Sequence, residues 1–153
     1  MPVELTIIAW GMILLLVHIF AAAHVKTKQY GPKWNMGARD ESLPPLNPIA
    51  GRLARAEANY KETLPIAIVA LIGVVVAGRT SELTALGGWI WLSARVVYLP
   101  LYGFGVPVVR TIIFMASLVG LLIALSRITR APILFPLRLL ATVFTDVFRG
   151  VPT

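Results

Sequence analysis

The chain has 153 residues, of which 58% are hydrophobic and 14% charged, and its formal net charge is +7. An ordinary soluble domain carries about 25% charged residues, so this composition excludes a soluble enzyme, a disordered chain and a module that binds nucleic acid. A mean hydropathy of +0.80 indicates an integral membrane protein whose first partner is the lipid bilayer. The sequence holds no cysteine, which excludes disulfides, thiolate metal sites and cysteine nucleophiles, and we expect no metal site.

Four long apolar runs predict four membrane-spanning helices. They extend from Leu5 to about Val25, from Ile49 to Ala77 with the most apolar part after Leu64, from Leu83 to Tyr102, and from Val106 to Ser126. Runs of ~20 apolar residues are typical of spanning helices, whereas barrel strands alternate over ~10 residues. Clusters of glycine and proline separate the runs, as expected for turns. We therefore expect an all-α integral membrane protein, with a four-helix transmembrane bundle in residues 1–128 and no separate soluble domain.

The first run also has a feature of a signal peptide, because Ala21, Ala22 and Ala23 are similar to a cleavage site. The segment before it carries Glu4 and neither lysine nor arginine, and the apolar stretch exceeds the roughly 7–15 residues of a signal peptide. We expect this run to remain as the first span.

Lysine and arginine residues predict the orientation of the bundle. The second connection carries only Arg79, and the third is flanked by Arg95 and Arg110. The first connection is far more basic and holds Lys26, Lys28, Lys33, Arg39, Arg52 and Arg55. Cytoplasmic loops collect positive charge, so we expect the first and third connections in the cytosol and the N-terminus outside. Arginines of the tail oppose this orientation, but the first helix usually dominates.

Polar residues interrupt the apolar pattern where three of the predicted spans reach the cytosolic side. In the second span, Arg52, Arg55, Asn59 and Glu62 fall at i, i+3, i+7 and i+10 and therefore share one face. This stripe has two interpretations. One is a helix end that emerges into the cytosol, with Arg55 and Glu62 as a structural pair. The other is a polar ligand site between helices.

The third and fourth spans add similar residues at the same depth. Arg95, Tyr98 and Tyr102 share a face of the third span, and an interfacial aromatic belt with a snorkelling arginine would also explain them. Arg110 and Thr111 begin the fourth span, where the helix dipole already favours an anion. Three arginines against one glutamate suit an anionic ligand that carries one ammonium group. A small thiol tripeptide fits chemically, although spacing alone leaves the ligand open.

Three sequence motifs resemble the MAPEG family, the membrane-associated proteins in eicosanoid and glutathione metabolism. Residues 51–65, GRLARAEANYKETLP, resemble its helix-two signature, Arg-Ala-x-x-Asn-x-x-Glu-x-x-Pro. Residues 94–102 and 106–111 resemble its third helix and the opening of its fourth, and residues 37–41 are similar to the first connection of bacterial members. The resemblance covers about residues 5–128.

The resemblance implies a homotrimer in the bacterial inner membrane, with glutathione as a cosubstrate held between neighbouring subunits near the cytosolic face. The residues that match glutathione-holding positions are Arg55, Asn59, Glu62, Arg95, Tyr98 and Tyr102. Arg110 matches the arginine that activates the thiol in catalytic members, with Thr111 or Tyr102 beside it. Thr63 and Tyr98 depart from leukotriene- and prostaglandin-synthesising members, which disfavours eicosanoid synthesis.

The function expected is a glutathione-binding membrane protein that acts as a transferase or peroxidase on a lipophilic small-molecule electrophile. The alternative is a non-catalytic scaffold or accessory membrane subunit of a larger complex. A transporter component is less favoured, because the chain has no internal repeat and no helix broken in mid-membrane.

The tail, residues 129–153, predicts an interfacial amphipathic helix. Its apolar face would carry Leu137, Leu140, Val143, Phe144, Val147 and Phe148. The segment also weakly resembles a short stretch of amino-acid ABC-importer permeases, and it offers a docking element for another membrane protein.

Overall fold

The computed structural model of this protein describes residues 1–128, and all of their regular secondary structure is helical. Five helices follow one another: α1 Val3–Tyr30, α2 Pro32–Met36, α3 Pro48–Val76, α4 Glu82–Gly103 and α5 Pro107–Leu125. The four long helices coincide with the four apolar runs. The predicted amphipathic helix of the tail and its docking role lie outside the described residues.

Proline, glycine and short polar residues set the ends of these helices. The Asn47 side chain accepts a hydrogen bond from the Ala50 backbone N–H at 2.8 Å, and Pro48 follows in the first turn of α3, where its missing donor costs nothing. Gly78 and Gly105 adopt positive φ values of 66° and 76° in the turns after α3 and α4. Glycine takes this conformation without strain, so the chain reverses direction sharply at both places.

Three helices, α1, α3 and α5, are long and apolar enough to cross a membrane, and the chain is a multi-pass membrane protein. α4 has 22 residues, which is sufficient length, but its most apolar stretch is less apolar than those of the other three. Thr84 and Arg95 contribute to this lower hydropathy, and both are buried within the bundle. A fourth crossing by α4 therefore depends on a bundle that shields these polar groups.

The helices pack as a four-cornered bundle. α1 lies against α3, α4 lies against α5, and α3 and α4 also contact each other across the centre. Gly87 on α4 faces Gly120 on α5 so closely that a Cβ added to either would lie 2.5 Å from the other's carbonyl oxygen. The core holds Ile7, Leu14, Tyr60, Leu71, Trp91 and Leu121.

Large apolar side chains also cover the outside of the bundle. Trp10, Phe20, Val69 and Ile112 are among those with more than half of their surface exposed. A soluble monomer rarely exposes so much contiguous apolar surface. This outer surface is suited to acyl chains or to another protein chain.

Candidate functional site

Helices α3, α4 and α5 converge on an open pocket of about 190 Å³. The pocket lies toward the end of the bundle where α3 begins, α4 ends and α5 begins. Its lining residues are Asn59 from α3, Tyr98 and Tyr102 from α4, and Arg110, Thr111 and Phe114 from α5. Five of these six were predicted from the sequence as site residues, and the fold brings them together from three helices.

Tyr102 lies between two arginines from different helices. The Arg55 Nε–H donates to the Tyr102 hydroxyl oxygen at 3.2 Å. The Arg110 guanidinium lies over the Tyr102 ring, 4.5 Å from its centroid, a cation–π contact. The lining contains no carboxylate, so the two cations leave the pocket with a positive potential. An anion placed here would relieve their mutual repulsion.

Asn59 provides the pocket with an unused acceptor. Its Oδ1 is buried and has no hydrogen-bond partner within residues 1–128. A buried acceptor left unpaired costs about 1–3 kcal/mol. An amide or ammonium N–H of a ligand would recover that cost.

Thr111 and Arg52 hold the ends of the helices that form the pocket. The Thr111 hydroxyl donates to the Pro107 carbonyl at 3.2 Å, and its oxygen remains able to accept from a ligand. The Arg52 Nε–H donates to the Gly103 carbonyl at 3.0 Å. This bond places a positive charge at the C-terminal end of α4, where the helix dipole favours it, and fixes the α4–α5 turn against α3.

Arg95 lies behind the pocket wall rather than in it. The side chain is 0% exposed, and its guanidinium carbon is 4.4 Å from the centroid of the Tyr98 ring. Tyr98 and Phe114, which line the pocket, therefore separate Arg95 from any ligand in this conformation.

Glu62 is exposed on α3 outside the pocket. It makes no hydrogen bond or ion pair to the part of the chain that the structure describes. The structural pairing of Arg55 with Glu62, considered from the sequence, is absent from residues 1–128, where the ion pair present on this helix joins Lys61 and Glu57. Arg55 bonds Tyr102 instead.

Sequence reasoning missed two aromatic residues of this region. Phe114 lines the pocket, and Tyr60 lies 5.2 Å from the Arg95 guanidinium carbon. Phe114 follows Arg110 at i+4 and thus shares its helix face, so its position carried a usable signal. Tyr60 carried none, because a tyrosine beside Asn59 falls on a different face from the polar stripe.

The fold and the pocket define a multi-pass helical membrane protein with a cationic, aromatic pocket between three of its helices. The model of the MAPEG family matches residues 7–129, and the chain belongs to that family, which confirms the resemblance found in the motifs. Membership places it among membrane proteins related to glutathione or eicosanoid metabolism. No curated protein matches the chain.

Proposed function

We propose that this protein binds glutathione in the α3–α4–α5 pocket and activates its thiol for reaction with lipophilic electrophiles. The observation that carries the proposal is the bracketing of Tyr102 by Arg55 and Arg110 at a pocket without a carboxylate. Such a site favours an anionic ligand with carboxylates for the arginine forks and with a sulfur that gains charge on reaction. Family membership supports the same ligand.

We assign some of these residues to ligand binding and others to activation of the thiol. Arg55 is suited to a ligand carboxylate, and the unpaired Oδ1 of Asn59 is suited to a ligand amide. Glu62, exposed without a partner among residues 1–128, is suited to the α-ammonium group. Arg110 stabilises negative charge at the sulfur, assisted by the Tyr98 or Tyr102 hydroxyl or by Thr111.

Glutathione supplies the nucleophile: its thiol loses a proton to water, the thiolate forms a bond to the electrophilic carbon, and the leaving group departs with its electron pair. The protein contributes the positive potential that makes the thiolate accessible near neutral pH. Each unit by which the thiol pKa falls requires ~1.4 kcal/mol of differential stabilisation. A hydrogen bond to a charged group contributes about 1.5–3 kcal/mol, so Arg110 alone is sufficient for one to two units.

The pocket needs a second copy of the chain to enclose a tripeptide. Its volume of about 190 Å³ is below the ~300–1,000 Å³ of typical small-molecule pockets. Arg55 and Glu62 both stay exposed on the single chain, although charged side chains on a spanning helix avoid lipid. A homotrimer in which a neighbouring protomer covers this face of α3 meets both requirements.

The electrophile reaches the pocket from the bilayer. Ile112 and Met115 are 61% and 54% exposed on α5, next to the lining residues Thr111 and Phe114. A lipophilic substrate dissolved among the acyl chains would therefore meet the thiolate without crossing water. The full arrangement is a four-span bundle in the bacterial inner membrane, with α4 as the fourth span, the N-terminus outside and the pocket on the cytosolic side.

The test is thiolate formation by glutathione on the purified protein, followed by ultraviolet absorbance. We expect Arg110→Met to abolish the thiolate signal and to lower transferase turnover by at least about tenfold, since removal of one donor to a developing anion costs ~10²–10³ in comparable sites. Arg79→Met, which removes an exposed arginine in the α3–α4 turn, is the matched control and leaves both unchanged.

Two results would contradict the proposal. A wild-type protein that shows neither bound glutathione nor a thermal shift with it would favour the scaffold alternative. A thiolate signal that survives in Arg110→Met would move activation to another residue.

A further inference from the structure

Arg95 is a buried cation without a polar partner among residues 1–128. Its side chain is 0% exposed, and Nε, Nη1 and Nη2 all lack a hydrogen-bond partner within residues 1–128. A buried arginine is normally matched by a carboxylate or by carbonyl oxygens, because an uncompensated charge in a dry bundle is strongly unfavourable. No carboxylate or carbonyl oxygen of residues 1–128 is therefore bonded to this charge.

Three aromatic rings enclose the guanidinium. The guanidinium carbon is 4.4 Å from the ring centroid of Tyr98, 5.2 Å from that of Tyr60 and 5.5 Å from that of Phe114. All three distances are within the range of a cation–π contact. Two of these residues, Tyr98 and Phe114, also line the pocket. A single aromatic layer thus separates the charge from the ligand space.

The two tyrosines of this cage differ in what their hydroxyls do. The Tyr60 hydroxyl donates to the Gly11 carbonyl at 2.6 Å and is thereby engaged in the core, away from the pocket. The Tyr98 hydroxyl makes no hydrogen bond to any residue between 1 and 128, although the residue is only 4% exposed. Tyr98 is consequently the member of the cage with a donor still available at the pocket.

We propose that Arg95 is a positioning residue that stabilises a thiolate sulfur in the pocket through the Tyr98 hydroxyl, without contacting the ligand. The cation draws electron density from the Tyr98 ring, which strengthens the hydroxyl as a donor to the sulfur. This inference rests on the proposed function and adds to it a source of thiolate stabilisation that lies outside the ligand contacts.

The surrounding charges favour this role. The titratable and charged groups around Tyr98 and its cage are Arg95 and Tyr102 on α4, Arg110 on α5, Arg55 and Tyr60 on α3, and His18 on α1, whose ring stacks on Tyr60 with centroids 4.5 Å apart. None of them is a carboxylate, and the carboxylate that acts on His18, Glu57 of α3, is ion-paired with Lys61. One unit charge at ~10 Å in a medium of effective dielectric ~20 changes an ionisation equilibrium roughly tenfold, which corresponds to about one pH unit.

The experiment compares Arg95→Gln with Arg95→Lys in the full-length protein, with Arg79→Met as a control for loss of an arginine. Two quantities are measured: the pH at which bound glutathione becomes thiolate, and the dissociation constant of S-methylglutathione, which has no ionisable thiol. For Arg95→Gln we expect thiolate formation about one pH unit higher and affinity for S-methylglutathione within about twofold of wild type. Arg95→Lys retains the charge, so we expect it to form the thiolate at a pH close to that of the wild type.

A double change tests the route through Tyr98. Tyr98→Phe keeps a ring against Arg95 and removes the hydroxyl. If Arg95 acts through that hydroxyl, Arg95→Gln shifts the thiolate pH less in the Tyr98→Phe protein than in the wild type. Additive shifts overturn the inference, because they would assign the two residues independent effects.

Other outcomes are equally decisive. Wild-type and Arg95→Gln proteins that form thiolate at the same pH overturn this inference and leave the proposed function intact. Loss of S-methylglutathione binding in both Arg95 variants assigns a purely structural role to Arg95 and also overturns it. Failure of the wild-type protein to bind glutathione overturns the proposed function itself and, with it, this inference.

Discussion

Tyr102 is the residue on which the charges of the pocket converge. Its hydroxyl accepts from Arg55, its ring lies under Arg110, and it meets Tyr98 edge-on with centroids 5.5 Å apart. Two guanidinium groups held by one side chain repel each other unless an anion lies between or beside them. Tyr102 therefore orders both arginines in advance of ligand binding, which lowers the entropy cost of binding.

Tyr102→Phe isolates this ordering effect. The variant keeps the ring under Arg110 and removes the acceptor for Arg55, so we expect glutathione affinity to fall about five- to tenfold, as for one lost hydrogen bond of ~1–1.5 kcal/mol. The unfolding temperature stays within a few degrees, since the bond lies at the exposed edge of the bundle. Isothermal titration calorimetry and a thermal melt measure the two quantities.

The control for this variant is Tyr30→Phe, which removes a tyrosine hydroxyl that donates to the Pro44 carbonyl outside the pocket. It loses one hydrogen bond of similar exposure and keeps its affinity. Equal affinities of Tyr102→Phe and wild type would show that Arg55 does not take part in holding the ligand.

Residue positions on a helix could be predicted from the sequence, but the depths of the side chains could not. The spacing of Arg95, Tyr98 and Tyr102 correctly indicates one face of α4. Nevertheless Tyr102 is half-buried while Arg95 is 0% exposed, because Tyr60 of α3 and Phe114 of α5 close over Arg95. Depth depends on the packing of neighbouring helices, which no single helix encodes.

At the scale of elements, helix positions follow from the sequence because the chain marks them strongly. Apolar runs of spanning length and the Gly–Pro turns place α4 and α5 within a residue or two of the predicted runs. The short helix α2, Pro32–Met36, was not foreseen, since five residues are too few for a helical period to emerge. The pairing of α4 with α5 could not be predicted from the sequence, because several helices contain glycines that would permit close contact.

The pairing of α4 with α5 is most sensitive to an added side chain at Gly87 and Gly120, where the two backbones meet. Gly120→Ala would place a methyl group 2.5 Å from the Gly87 carbonyl oxygen and 2.9 Å from the Trp91 backbone nitrogen. Backbone atoms in packed helices cannot retreat easily, so we expect a loss of about 1–3 kcal/mol in the free energy of unfolding. Because α4 and α5 carry five of the six pocket residues, glutathione affinity falls as well.

Gly103→Ala is the matched control for this change. A Cβ at Gly103 meets only Leu53 Cδ2 at 3.5 Å, an ordinary contact, and the variant should unfold within about 0.5 kcal/mol of wild type. Chemical denaturation in detergent measures both variants. Equal stability of Gly120→Ala and Gly103→Ala would mean that α4 and α5 are not held at this distance.

At the scale of the whole molecule, the pocket has a function in glutathione chemistry only if it opens on the side where the basic connection lies. The first connection and the α4–α5 turn share one end of the bundle, since Arg52 near the start of α3 bonds Gly103 at the end of α4. The most apolar stretch of α4 is less apolar than those of the other long helices, so its crossing is the step on which the orientation of the pocket depends. The absence of native cysteine makes a direct test possible.

Single cysteines at exposed positions in the three turns report the side of each turn. We expect a membrane-impermeant maleimide to label Thr80→Cys in intact spheroplasts, and to label Ser42→Cys and Phe104→Cys only after permeabilisation. The reason is that six basic residues in the first connection and in the adjoining ends of α1 and α3 keep this end in the cytosol, and two crossings then return the chain to that side. Labelling of Phe104→Cys together with Thr80→Cys would show that α4 does not cross. Inversion of all three patterns would place the pocket outside the cell, away from the cytosolic side that the proposed function requires.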